Sequence, residues 1–110
     1  MAVIVLTTVA NETEGKALAR DLIERRLAAC VNVLPGACSI YRWKGQIAEE
    51  GEAVLVIKTA PDRLDPLRER IATHHPYELP ELLVFPAAGG SADYLAWIKE
   101  MTRPSETEDR

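Results

Sequence analysis

This chain has few aromatic residues. They make up 5% of its 110 residues, with a single phenylalanine, two tryptophans and three tyrosines. A core built from stacked rings is therefore excluded. Long apolar runs are missing too. No stretch nears the roughly 20 residues that a helix needs to cross a bilayer, so membrane insertion is excluded. The opening Met1-Ala2-Val3-Ile4-Val5-Leu6 has no charged leader and is too short for a secretory signal core with its cleavage site. It reads as the first strand of a cytoplasmic protein. Basic residues never run longer than Arg25-Arg26, and the formal net charge is −4. Binding to nucleic acid by phosphate neutralisation is thereby excluded. The two cysteines, Cys30 and Cys38, are not spaced as C-x-x-C, so neither a redox pair nor a zinc knuckle is indicated. They read as reduced thiols packed as small hydrophobes. A glycine-rich phosphate loop, a nucleophile elbow and an H-E-x-x-H signature are all lacking, and we expect no enzyme.

What is present is aliphatic. Hydrophobic residues make up 47% of the chain, mostly Ala, Val, Leu and Ile, which suits short buried strands under helices. The length fits one domain, set here at residues 1–102, with 103–110 a polar, disordered tail. Val3 to Leu6, extended by Thr7 and Thr8, reads as a buried strand. Asn11 followed by Glu14 marks a helix start, and Leu18, Leu22, Ile23 and Leu27 recur at helical spacing over about residues 12–27. Cys30 to Trp43 is strand-like, with a bend or bulge expected at Pro35-Gly36. Lys44-Gly45 forms a tight turn, and Gln46 to Lys58 runs back. A second helix over about residues 62–74 buries Leu64, Leu67 and Ile71. Asp62 or Asp65 caps it, and Pro76 stops it. Leu82 to Phe85 is the last strand. Ser91 then caps a closing helix with Tyr94, Leu95, Ile98 and Met101 on its inner face. The order βαββαβ plus a final helix predicts an α+β, ferredoxin-like sandwich.

Its hairpin is too long for one domain. Two strands of about 13 residues reach on the order of 43 Å at about 3.3 Å per residue, against a radius of gyration near about 13 Å for a chain of this size. The outer part carries Ile40, Tyr41, Trp43 and Ile47, and an isolated two-stranded ribbon is marginal in water. Either the hairpin bends back on its own sheet, or it lies along a second copy. The second solution predicts a homo-oligomer.

Chemistry concentrates in His74-His75-Pro76-Tyr77-Glu78-Leu79-Pro80-Glu81. Two prolines four residues apart exclude regular helix or central strand, so this is a stiff connector that fixes polar side chains beside a strand. His74 and His75 are the only histidines. Imidazole suits copper, zinc and nickel, but adjacent residues point in different directions. The competing role is a cationic helix C-terminus. Glu78 and Glu81 would complete a metal site or simply solvate the connector. Lys58, at the end of a buried strand, would meet an anion or reach water. Trp43 would close a pocket or fill a subunit contact.

Several motifs in order then become recognisable: Ala28-Ala29-Cys30-Val31-Asn32, Ser39-Ile40-Tyr41-Arg42-Trp43-Lys44-Gly45, Ile57-Lys58-Thr59, the His74 to Glu81 segment, and Tyr94-Leu95-Ala96-Trp97. Up to about residue 101 the chain resembles the CutA family of divalent-cation tolerance proteins. The resemblance implies a ferredoxin-like subunit in a tight homotrimer, a cytoplasmic role in divalent-metal tolerance, and copper binding. The family's copper ligands are a cysteine at the end of the first strand and two adjacent histidines. The histidines correspond to His74 and His75, whereas Thr7 stands where the cysteine would be. A hydroxyl is a poor ligand for Cu(I) beside a thiolate. The expectation is weak binding of a divalent ion such as Cu(II), helped by Glu78 or Glu81. The trimer's likeness to PII-type signalling proteins implies an alternative: a small-molecule sensor with inter-subunit pockets lined by Trp43, Lys58, Tyr77 and Glu81.

Overall fold

The computed structural model describes residues 1–75 and 77–104. The chain runs through β1 (Val3–Val9), α1 (Glu12–Glu24), β2 (Cys30–Trp43), β3 (Gln46–Thr59), a single 3₁₀ turn (Pro61–Arg63), α2 (Leu64–His74), β4 (Leu83–Pro86) and α3 (Ala92–Met101). The strands form one antiparallel sheet in the order β2-β3-β1-β4. This is the predicted ferredoxin-like arrangement, with α3 appended.

Alternation along the central strands decides where the core lies. In β1, Val3, Val5, Thr7 and Val9 are buried, while Ile4 and Leu6 are only half-buried; in β3, Ala53, Leu55, Ile57 and Thr59 are buried and Val54, Val56 and Lys58 half-buried. Successive strand residues face opposite sides, so one face of the sheet is covered and the other open. The covered face packs Val5, Val9, Leu55 and Ile57 against Leu22 of α1 and Leu67 and Ile71 of α2. Each such aliphatic side chain contributes about 1.5–3 kcal/mol by leaving water. Gly15 lets α1 lie close to the sheet: a Cβ there would stand 3.0 Å from Val33 Cγ1 and 3.3 Å from Leu55 Cδ1.

The caps of α1 and α3 follow the sequence. The Asn11 side chain accepts from the Glu14 N–H at 2.9 Å, and the Ser91 hydroxyl from the Tyr94 N–H at 3.2 Å. Four expectations change. The first helix ends at Glu24 rather than residue 27, because Arg26 takes a left-handed conformation (φ 56°). The reversal returns Leu27 to the core, while Ile23, beside Leu22 but off the inner stripe, stays exposed. Neither Asp62 nor Asp65 caps α2, since the 3₁₀ turn leads straight into it and no side chain bonds its first N–H groups. Pro66, third in α2, falls where an N–H has no helical partner anyway. The last strand is shifted by one, its pairing running from Leu6↔Leu83 to Val3↔Pro86. In α3 only Ile98 is buried; Tyr94 and Met101 are exposed. Pro76 and residues 105–110, most of the predicted tail, lie outside the described residues.

The hairpin is long and irregular. Lys44 and Gly45 at its tip have φ of 49° and 81°, the paired positive values of a type I′ connection. The register jumps from Leu34↔Val54 to Ala37↔Glu52, with Gly36 at φ 81°. This is a β-bulge at the predicted Pro35-Gly36 position. Beyond it the ribbon leaves the core, and Ile40 and Ile47 are 64% and 69% exposed. The principal extents are 45 × 32 × 22 Å.

Candidate metal and ligand sites

The two histidines end α2 but do different things. His75 lies just past the helix in extended conformation (φ −83°, ψ 132°). Its Nε2 is 2.6 Å from the Thr8 carbonyl oxygen. A carbonyl can only accept, so Nε2 carries the proton and donates. Nδ1 is then the acceptor, and the Tyr77 backbone N–H donates to it at 3.1 Å. Both ring nitrogens are thus engaged. His75 ties the end of α2 to β1 and to the connector, with its ring edge-on to Tyr77 at 4.7 Å.

His74 is exposed. Its Nδ1 lies 2.7 Å from the Thr73 hydroxyl and 3.2 Å from the Arg70 carbonyl, and among the described residues Nε2 meets no partner. Both histidines border a cavity of about 380 Å³ between α1 and α2 that Glu14, Asp21 and Arg70 also line. Asp21 accepts from Arg70 at 2.8 and 2.9 Å and from Arg25 at 3.0 Å. The Arg70 hydrogen bond is the main cause of its lowered pKa, opposed by burial and aided by Arg25.

Thr7 faces the core, fully buried, and its hydroxyl has no hydrogen-bond partner among the described residues. A family-type copper set would need a donor there, a free His75 nitrogen and His74. The hydroxyl is a poor donor to copper and the His75 nitrogens are engaged, so these residues do not fit a tight Cu(I) site. No group of three or more His, Cys, Asp or Glu side chains converges on a metal position among the described residues. Glu78 and Glu81 lie in a different cavity from the histidines.

That second cavity is a cleft of about 780 Å³ between the ribbon and the connector. The bulge explains its composition. Residues paired across strands share a face of the sheet, so Thr8 and Val54 lie on the open face, and with them Glu52 and Glu50, two and four positions from Val54. The extra residue of the bulge makes Ala37 pair with Glu52 and Ser39 with Glu50. Ser39, Tyr41 and Trp43 therefore turn to the open face, while Ile40 and Ile47 sit on the reverse. The connector closes the cleft with Tyr77, Glu78 and Glu81. The Tyr77 hydroxyl donates to Glu52 Oε2 at 2.8 Å. Burial, then the Glu52 carboxylate, pushes its pKa well above the phenol range. Tyr41 is raised in the same way, by desolvation first and by Glu50 next. Both phenols stay protonated near neutrality.

Of the four residues expected to line a pocket between subunits, Trp43, Tyr77 and Glu81 border one cleft within the single chain. Lys58 stands apart, hydrogen-bonded to Asn32 and 3.9 Å from Cys30 Sγ. Sequence reasoning missed Tyr41, Glu50 and Glu52. The alternation Glu50-x-Glu52 places two carboxylates on one strand face, but matching that face to Tyr41 requires knowing that the bulge inserts one residue.

The family model for the CutA1 divalent ion tolerance protein matches residues 3–101. The divalent-cation tolerance protein CutA of Thermus thermophilus is 44% identical over 102 residues, covering 93% of this chain and 99% of that protein. Its solved structure superposes with a TM-score of 0.89 over 94% of this chain and 100% of the other. Protein CutA, chloroplastic, from Arabidopsis thaliana is 42% identical over 93% of this chain, which spans only 56% of that relative's length. A solved protein from Archaeoglobus fulgidus named periplasmic divalent cation tolerance protein CutA has a TM-score of 0.90 at 29% identity, covering 94% of this chain and 100% of that one. Among the described residues no helix is long and apolar enough to cross a membrane.

Proposed function

Because this chain belongs to the CutA1 divalent ion tolerance protein family, we propose that it serves tolerance of divalent cations as a cytoplasmic homotrimer that holds a divalent metal weakly and catalyses no reaction. The observation that carries the metal reading is His74. Its exposed imidazole shares a cavity with Glu14, whose carboxylate, unlike that of Asp21, bonds no arginine among the described residues. An imidazole with a carboxylate suits Cu(II) better than Cu(I). Two donors hold an ion loosely, which fits reversible uptake. Calorimetric titration with Cu(II) and Zn(II) tests this. His74→Ala is expected to abolish Cu(II) uptake, whereas His75→Ala lowers the melting temperature and leaves affinity within about threefold. Equal affinities for the wild type and the double variant would sink the metal role.

The trimer reading draws on the open sheet face. Ile4, Leu6, Val54 and Val56 are half-buried there, with Leu83 and Phe85 exposed beside them. Ile40 and Ile47 add exposed apolar surface on the ribbon, and together this is more than a lone subunit ordinarily leaves in water.

A second reading, a small-molecule sensor, is favoured by the convergence of Trp43, Tyr77 and Glu81 on one cleft. A ligand that binds only the folded protein raises its melting temperature. A thermal-shift screen of nucleotides, amines and organic acids in which no compound moves the transition would count against it.

A further inference from the structure

We propose that Lys58 of each subunit docks against the ribbon-connector cleft of the next, as counter-charge to that subunit's Glu50 and Glu81. The inference rests on the trimer reading and names the contact that sets its register. Two patches of one chain carry it, both on the open sheet face. Lys58, Val56, Val54, Glu52 and Glu50 follow one another there at alternate positions of β3. The first patch holds a cation without an anion. Lys58 is half-buried and paired with Ile4 on one side and Cys30 on the other. Its ammonium donates to the neutral Asn32 amide oxygen and stands 3.9 Å from Cys30 Sγ. Arg42, the other basic residue of the four strands, pairs with Ile47 on the reverse of the ribbon. The second patch holds anions without a cation. Glu50 and Glu81 border the cleft, which no lysine or arginine lines. Every ion pair among the described residues involves other carboxylates, and Glu52 already accepts from Tyr77.

One subunit cannot join these patches. Glu50 and Lys58 are eight positions apart in β3, on the order of 26 Å at about 3.3 Å per residue, far beyond the reach of a lysine side chain. Burying the open face against a second copy strands both charges unless they meet across the boundary. A buried charge left without its partner is strongly destabilising. A closed ring resolves this. Each of its boundaries joins two different patches of the chain, so the cationic and the anionic patch of every subunit are each used once. The ribbon supplies the reach, because it carries Glu50 beyond its own core and over the neighbour's sheet. Ile4, Leu6, Leu83 and Phe85 favour burial but not a particular alignment, since apolar attraction is non-directional. Opposite charges in a desolvated contact fix the register and reject misaligned copies.

The test follows the assembly of the full chain by light scattering over a dilution series at fixed urea, with far-ultraviolet dichroism to confirm folding. Lys58→Glu sets carboxylate against carboxylate and should raise the dissociation midpoint at least about tenfold. Lys58→Met keeps the apolar stem and strands the carboxylates, so it should act in the same direction even if the reversed charge prevents folding. Adding Glu50→Lys and Glu81→Lys to the Lys58→Glu chain should return the midpoint to within about threefold of the unaltered protein. A role of Lys58 confined to its own Asn32 would not be rescued from so distant a position. Chains bearing only Lys58→Glu and chains bearing only Glu50→Lys with Glu81→Lys should assemble better mixed than apart. Unaltered chains that form trimers, with a Lys58→Met midpoint unchanged or no rescue by the swapped charges, overturn the pairing and leave the trimer standing. Unaltered chains that scatter as single subunits take down both.

Discussion

Thr7 is buried, and its hydroxyl has no hydrogen-bond partner among the described residues. Leaving a buried polar group unsatisfied costs about 1–3 kcal/mol. Thr7→Val keeps the shape and removes the group, so it should raise stability by about 1 kcal/mol, read as a higher urea midpoint with an unchanged slope. Asp21 gives the acid limb. Its folded pKa lies below the ordinary 3.8 because of Arg70. The stability it lends is present above that value and lost as pH falls through the folded pKa. Asp21→Asn should therefore flatten the decline of stability between about pH 5 and pH 2 seen by circular dichroism. Tyr77 gives the opposite limb. Its folded pKa is raised, so its contribution is full below about pH 10 and lost above it. Tyr77→Phe should remove that alkaline loss in a melting series. At this scale the sequence pointed to side chains that can carry chemistry but not to their pairings. That His75 is occupied by the Thr8 carbonyl depends on a contact 67 positions away in the chain.

Elements were more legible, because their signals are local. Asn11, Ser91, the Lys44-Gly45 turn and the Pro35-Gly36 irregularity each acts through its own backbone. The errors arose where tertiary packing outweighs local preference. Arg26 reverses the chain to bury Leu27, and β4 takes the register that β1 dictates. The α3 face was misjudged because helical spacing shows which side is apolar, not whether anything covers it. Gly15 illustrates a packing demand with no local signature. Alanine would improve the helix yet must displace Val33 by a few tenths of an ångström. A branched side chain has no such room, so Gly15→Val should cost about 1–3 kcal/mol in denaturant midpoint.

At the scale of the whole molecule, apolar side chains lie where one subunit cannot shelter them. Replacing Ile40 and Ile47 by Glu should shift light-scattering mass from about three times 12.2 kDa towards 12.2 kDa, with far-ultraviolet dichroism retained at high protein concentration. A wild-type chain that scatters as a single folded subunit at micromolar concentration would refute the trimer. The topology carries a further consequence. β1 lies between β3 and β4, and its first residue pairs with Pro86. A chain synthesised from its N-terminus therefore holds one flank of its earliest strand bare until residue 86 emerges. That flank is an unpaired template for other nascent chains, so the interval of translation before β4 docks is when this protein is most exposed to misassociation.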